Sequence, residues 1–170
     1  PITAESIEQG IRQTNWPGRF QVVPAKNRDP EVVLDVAHNP AGAWALRSTL
    51  SNCYDGRRLV FVFGAMRDKA ISEIAEILFP MAEVVIATQA DNPRAATITE
   101  IGEAAARSAA EIQGAPDMAS ALTRAKLLAG PDGLVVVTGS IYIVGEAMRI
   151  LRVSVAASQP VPQVLQRVAT

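Results

Sequence analysis

Four short apolar runs stand out along the chain: Val32-Val33-Leu34, Leu59-Val60-Phe61-Val62-Phe63, Val84-Val85-Ile86-Ala87 and Leu134-Val135-Val136-Val137. They are continuous rather than alternating, the pattern of strands covered on both faces in a parallel sheet flanked by helices. Between them, apolar positions fall at helical spacing. Ile71, Ile74, Ala75 and Leu78 follow i, i+3, i+4, i+7, as do Ile141, Val144, Gly145 and Met148, and Met118, Ala121, Leu122 and Ala125 repeat the pattern. Thr97 and Glu100 have capping-box spacing and predict a helix over 98–110. Pro40 suits the first turn of a helix running to about Asn52, because it lacks only an N–H that would be unpaired anyway. This alternation predicts an α/β fold with a mostly parallel, doubly wound sheet.

The start of the chain reads differently. Phe20-Gln21-Val22-Val23 alternates, and Lys26-Asn27-Arg28-Asp29-Pro30 is rich in turn formers. Residues 19–24 and 31–35 therefore predict a hairpin, which makes the first strand an antiparallel edge and sets Arg19 close to Asp35. Residues 1–15 read as the remnant of a helix or linker, and 16–152 as one domain. The tail 153–170, with Pro160 and Pro162, has no place in the core, and its order is left open.

Composition narrows the class. The length, 170 residues, suits one domain. Apolar residues make up 49% of the chain, but no run approaches the ~20 residues that span a bilayer. A net charge of −1 without a basic block gives no footprint for nucleic acid. One cysteine, Cys53, excludes an intrachain disulfide, and with one histidine no all-His/Cys zinc site is available. The chain reads as cytosolic. Its first residue is Pro1, which points to a processed protein or a piece of a longer one.

In an open parallel sheet, ligands bind beyond the carboxyl ends of the strands, where loops and helix N-termini present free N–H groups. Just past the predicted strands lie Asp35-Val36-Ala37-His38-Asn39-Pro40, Gly64-Ala65-Met66-Arg67-Asp68-Lys69, Thr88-Gln89-Ala90-Asp91-Asn92-Pro93-Arg94 and Thr138-Gly139-Ser140-Ile141-Tyr142. The only histidine, an Asp–Arg pair and helix-capping hydroxyls thus converge on one rim. Each residue also has a plain structural reading. Asp35 is equally suited to capping a helix or pairing with Arg19, His38 to a surface position, Ser140 to an N-cap, and Arg67 to Lys69 to a solvated loop. There is no G-x-x-x-x-G-K-[ST] cradle for a triphosphate and no G-x-G-x-x-G after the first strand.

Five segments occur in register: Trp16-Pro17-Gly18-Arg19-Phe20-Gln21, Asp35-Val36-Ala37-His38-Asn39-Pro40, Phe63-Gly64-Ala65-Met66-Arg67-Asp68-Lys69, Pro93-Arg94-Ala95 and Thr138-Gly139-Ser140-Ile141-Tyr142. Together they resemble the C-terminal domain of the bifunctional folylpolyglutamate synthase/dihydrofolate synthase family, within the Mur ligase superfamily, from about Trp16 to Leu151. The Asp-x-Ala-His-Asn-Pro segment is shared with cell-wall Mur ligases; the W-P-G-R-F-Q and T-G-S-x-Y segments favour the folate branch.

The resemblance implies a Rossmann-like domain of the Mur ligase C-terminal type, part of an ATP-dependent, ADP-forming ligase. Such an enzyme adds L-glutamate to a folate or dihydropteroate carboxylate through an acyl phosphate. It implies that Arg19 and Asp35 belong to the ATP site, that His38 lies at the domain junction near the reaction centre, and that Ser140 and Tyr142 hold glutamate. Asp91-Asn92-Pro93-Arg94 resembles the amino-acid-recognising loop of some Mur ligases, which makes Arg94 a further glutamate contact. The partner implied is an N-terminal P-loop domain of the same polypeptide, carrying the glycine-rich loop and most of the magnesium ligands and absent from this chain, so the isolated domain is expected to be inactive. Val36 departs from the glycine of many relatives, a tolerable change unless that backbone needs positive φ. Two other readings stand beside this one: a Mur peptidoglycan-precursor ligase domain, and a non-catalytic nucleotide- or amino-acid-binding module.

Overall fold

The computed structural model describes residues 2–14, 16–108 and 110–153, so most of the tail, 154–170, lies outside the described residues. The strands are β1 (Gln21–Val23), β2 (Glu31–Asp35), β3 (Leu59–Phe63), β4 (Val84–Ala87), β5 (Ile112–Gly114) and β6 (Leu134–Thr138). They form one sheet in the order β1-β2-β6-β3-β4-β5, parallel throughout except for the antiparallel β1–β2 pair. The expected hairpin is present: Gln21 pairs with Leu34 and Val23 with Val32, and Asn27 takes φ 58° in the turn.

Helices cover both faces. On one side pack α2 (Pro40–Cys53), α3 (Ile71–Leu78) and α4 (Ile98–Ala104); on the other, α5 (Met118–Ala129) and α6 (Ile141–Leu151). β3 shows why its sequence is continuously apolar. Phe61 and Phe63 enter the core under α2 and α3, while Val60 and Val62 enter the core under α5 and α6. All four are buried, each contributing about 1.5–3 kcal/mol of burial free energy. Phe63 also meets Phe79 edge-on, with ring centroids 5.1 Å apart.

Caps set the helix starts. Asn39 accepts the Gly42 N–H ahead of Pro40, and Thr97 and Glu100 form the expected capping box. The structure departs from the sequence expectations at two places. β5 was not foreseen; it is a three-residue edge strand whose only large apolar side chain is Ile112. The helix expected over 98–110 stops at Ala104 and gives way to a 3-10 turn at Ala106–Ser108. The N-terminal remnant is a helix, α1 (Ala4–Gln13), capped by Thr3 and Ser6, with Ile7 and Ile11 left exposed.

Candidate functional site

Because β2, β3, β4 and β6 run parallel, the four polar loops that follow them emerge on one edge. The antiparallel β1 delivers the segment before Gln21 to the same edge.

Asp35 ends β2. Its Oδ2 accepts the Phe20 N–H and its Oδ1 the Ala37 N–H, both at 2.8 Å. Phe20 holds φ 42°, a strained value for a bulky residue, and the N–H so placed is the one that meets Asp35. Burial pushes the Asp35 carboxyl above its ordinary value; the two N–H groups and the Arg19 charge oppose that rise. The Asp–Arg neighbourhood is thus as expected, but no ion pair closes it among the described residues. The Arg19 guanidinium instead lies over the Trp16 ring, 5.6 Å from its centroid. Val36 keeps negative φ and donates its N–H to Gly18 O at 2.8 Å, so the absence of glycine there costs nothing.

Beyond Asp35, His38 Nδ1 lies 2.9 Å from the Val36 carbonyl. A carbonyl only accepts, so Nδ1 carries a proton, and Nε2 has no hydrogen-bond partner among the described residues. Ser140, 3% exposed, caps α6 by accepting the Ile143 N–H at 3.2 Å. Gly139 makes this approach feasible. It has φ 111°, and a Cβ there would stand 2.6 Å from Gly64 O.

His38, Arg94, Ser140 and Tyr142 line one cleft of about 210 Å³, together with Met66, Lys69, Gly139 and Ile141. Arg19 and Asp35 lie on the same edge but outside this lining. Lys69 was missed as a site residue, although it stands in the polar segment that follows β3. Asp68 joins the two cations of the cleft: its Oδ2 is 3.0 Å from Lys69 Nζ and its Oδ1 accepts from Arg94 Nη2 at 3.1 Å. These hydrogen bonds hold the Asp68 carboxyl below its usual value. Among the described residues no cluster of three His, Cys, Asp or Glu side chains is arranged to hold a metal, and no helix is long and apolar enough to cross a membrane.

A mostly parallel α/β sheet thus gathers cationic, histidine and helix-capping groups at its carboxyl edge, a chemistry suited to a small anionic ligand. Residues 18–141 match the Mur ligase family's glutamate ligase domain, and the chain belongs to that family. The probable bifunctional folylpolyglutamate synthase/dihydropteroate synthase of Haloferax volcanii is 40% identical over 149 residues, covering 86% of this chain and 17% of that protein. The Mycobacterium tuberculosis folylpolyglutamate synthase solved with ADP and AMPPCP superposes with a TM-score of 0.79 at 29% identity, over 93% of this chain and 36% of that one. A bifunctional folylpolyglutamate synthase/dihydrofolate synthase solved with Mn, AMPPNP and L-glutamate bound gives 0.76 at 30% identity, over 90% of this chain and 36% of that one. The chain thus spans about a third of the length of these solved relatives and less of the Haloferax protein.

Proposed function

We propose that this chain is the glutamate-handling domain of an ATP-dependent, ADP-forming ligase that joins L-glutamate to the carboxylate of a folate or of dihydropteroate. The observation that carries the reading is the convergence of His38, Arg94, Ser140 and Tyr142 on one cleft, in a chain of the glutamate ligase family. The ligands named for solved relatives, L-glutamate and adenine nucleotides, support it.

In this reading, γ-phosphoryl transfer from ATP turns the acceptor carboxylate into an acyl phosphate and releases ADP. The amine of glutamate then attacks the acyl carbon, and phosphate leaves. Arg94, Ser140 and Tyr142 hold glutamate: the guanidinium offers paired donors to a carboxylate, and the start of α6 offers N–H groups. His38 stands beside them at the junction with the reacting groups. Asp35 fits a nucleotide ribose, since each of its oxygens accepts one N–H here and keeps a lone pair for a hydroxyl. Arg19 supplies the nearby positive charge for ATP phosphate.

The same reading requires a partner domain in the same polypeptide, bearing the phosphate loop, most of the magnesium ligands and the pterin site. Closure of the two would exclude water from the acyl phosphate. A cytoplasmic setting belongs to it too, in keeping with the single free thiol of Cys53. The test is ADP release by the complete ligase. Release that requires both L-glutamate and a folate or dihydropteroate acceptor is expected. Release that ignores both acceptors and responds to a nucleotide-linked peptide precursor would overturn the assignment.

A further inference from the structure

We propose that Arg67 and Glu100 are positioning residues for glutamate: as a clamp they lock the loop after β4, so that Arg94 stands at the cleft. The inference rests on the glutamate reading given above. Neither Arg67 nor Glu100 lines the cleft itself.

Arg67 reaches away from the cleft. Its Nε donates to both Glu100 carboxylate oxygens, at 3.1 and 3.2 Å, and its Nη1 to the Pro93 carbonyl at 3.0 Å. Its backbone N–H donates to the carbonyl of Arg94 at 2.9 Å. Glu100 Oε2 also accepts the Thr97 N–H at 2.7 Å, so one carboxylate closes the α4 cap and holds the arginine. The two loops are zipped alongside: Met66 and Ala95 form an antiparallel bridge, and Ala96 N–H donates to Ala65 O at 2.8 Å. From the other side, Asn92 Oδ1 accepts the Arg94 N–H at 2.9 Å. The loop's start is tied separately, through Asp91 N–H on Glu146 Oε1 at 3.0 Å. Arg94 is therefore gripped through both of its backbone polar groups, and the Arg67 side chain fixes the residue immediately before it.

A guanidinium recognises a carboxylate only when its fork is held to within about 0.5 Å of the right place. The Arg94 side chain is 69% exposed and brings little packing of its own to that task, so beyond its bond to Asp68 its placement depends on the backbone. Stability alone is a poor explanation of the clamp. The Arg67 and Glu100 side chains are 49% and 44% exposed, and ion pairs of that kind contribute little to folding. Loss of the clamp should therefore appear in substrate binding rather than in melting temperature.

The experiment compares variants of the complete ligase. In Arg67→Ala, the KM for L-glutamate should rise roughly tenfold while the KM for ATP and the melting temperature stay close to those of the parent. Glu100→Gln keeps an acceptor for the Thr97 N–H and should shift the same KM by less. Because Arg67 acts through Arg94, Arg67→Ala/Arg94→Ala should be no worse than Arg94→Ala alone. An unchanged glutamate KM in Arg67→Ala beside a raised one in Arg94→Ala, or fully additive effects in the double variant, would overturn the clamp and leave the glutamate reading standing. An Arg94→Ala variant with unaltered glutamate KM would remove both.

Discussion

Replacing Gly139 with alanine tests the close approach of the strand ends that builds the cleft floor. Two costs arise there. The first is backbone: at φ 111° an L side chain is strained, by about 1–3 kcal/mol. The second is steric. The new Cβ would stand 2.6 Å from Gly64 O and 2.8 Å from the Phe63 ring, which is itself fully buried and cannot swing aside. Overpacking of that kind costs about 1–3 kcal/mol more. The sum, about 2–6 kcal/mol, is a large share of a typical domain stability of about 5–15 kcal/mol. Gly56 supplies the control, since it has φ 74° but nothing within 4 Å of its would-be Cβ, and Gly56→Ala should carry only the first cost. In urea denaturation, with a slope of about 2 kcal/mol per molar, the midpoint should fall by about 1–3 M for Gly139→Ala and about 0.5–1.5 M for Gly56→Ala. Equal shifts in the two variants would refute the claim that the carboxyl ends of β3 and β6 are packed to contact.

Other outcomes follow from the same structure. Asp117 caps α5 by accepting the Ser120 N–H at 2.7 Å, and that bond holds its carboxyl below the ordinary value of 3.8. Its contribution is present above 3.8 and lost as pH falls through the lowered folded value, so Asp117→Asn, which keeps the acceptor, should flatten the acid loss of melting temperature below pH 3.8. Asp35 runs the other way. Its raised pKa makes its contribution complete below 3.8 and lost as pH rises through the folded value, so a pH titration of the carboxyl followed by NMR should place its midpoint above 3.8. In the complete ligase, His38→Ala should lower turnover by roughly 10²-fold with little change in melting temperature, and a wild-type rate would remove His38 from the site. The isolated chain should bind ATP weakly at best by calorimetry and form no glutamyl product; measurable ligase activity from it would contradict the need for a partner domain.

The central sheet was legible because burial on both faces leaves no room for polar alternation, and β2, β3, β4 and β6 are apolar for that reason. β5 was not, since Ile112-Gln113-Gly114 sits at the sheet edge, half-exposed, and carries too little apolar side chain to make a pattern. The start of α1 escaped notice because Ser6, not Glu or Gln, closes its capping box. At the site, hairpin register was enough to bring Arg19 beside Asp35, but spacing could not show that Trp16 takes the guanidinium. Lys69 was passed over because Arg67-Asp68-Lys69 reads as solvated loop. The pairing of Met66 with Ala95, with the bond of Arg94 to Asp68, shows that two loops distant in sequence share one wall of the cleft.

The Ser140 hydroxyl has one further consequence. A hydroxyl owns a single proton and two lone pairs, and the Ile143 N–H already occupies one of the pairs. The proton is not consumed by that bond, so the hydroxyl is free to donate to an oxyanion, while its second lone pair stays open to a donor. Among the described residues no further hydrogen bond of this buried hydroxyl has to be broken first, so the turn presents a ready-made donor before any ligand arrives.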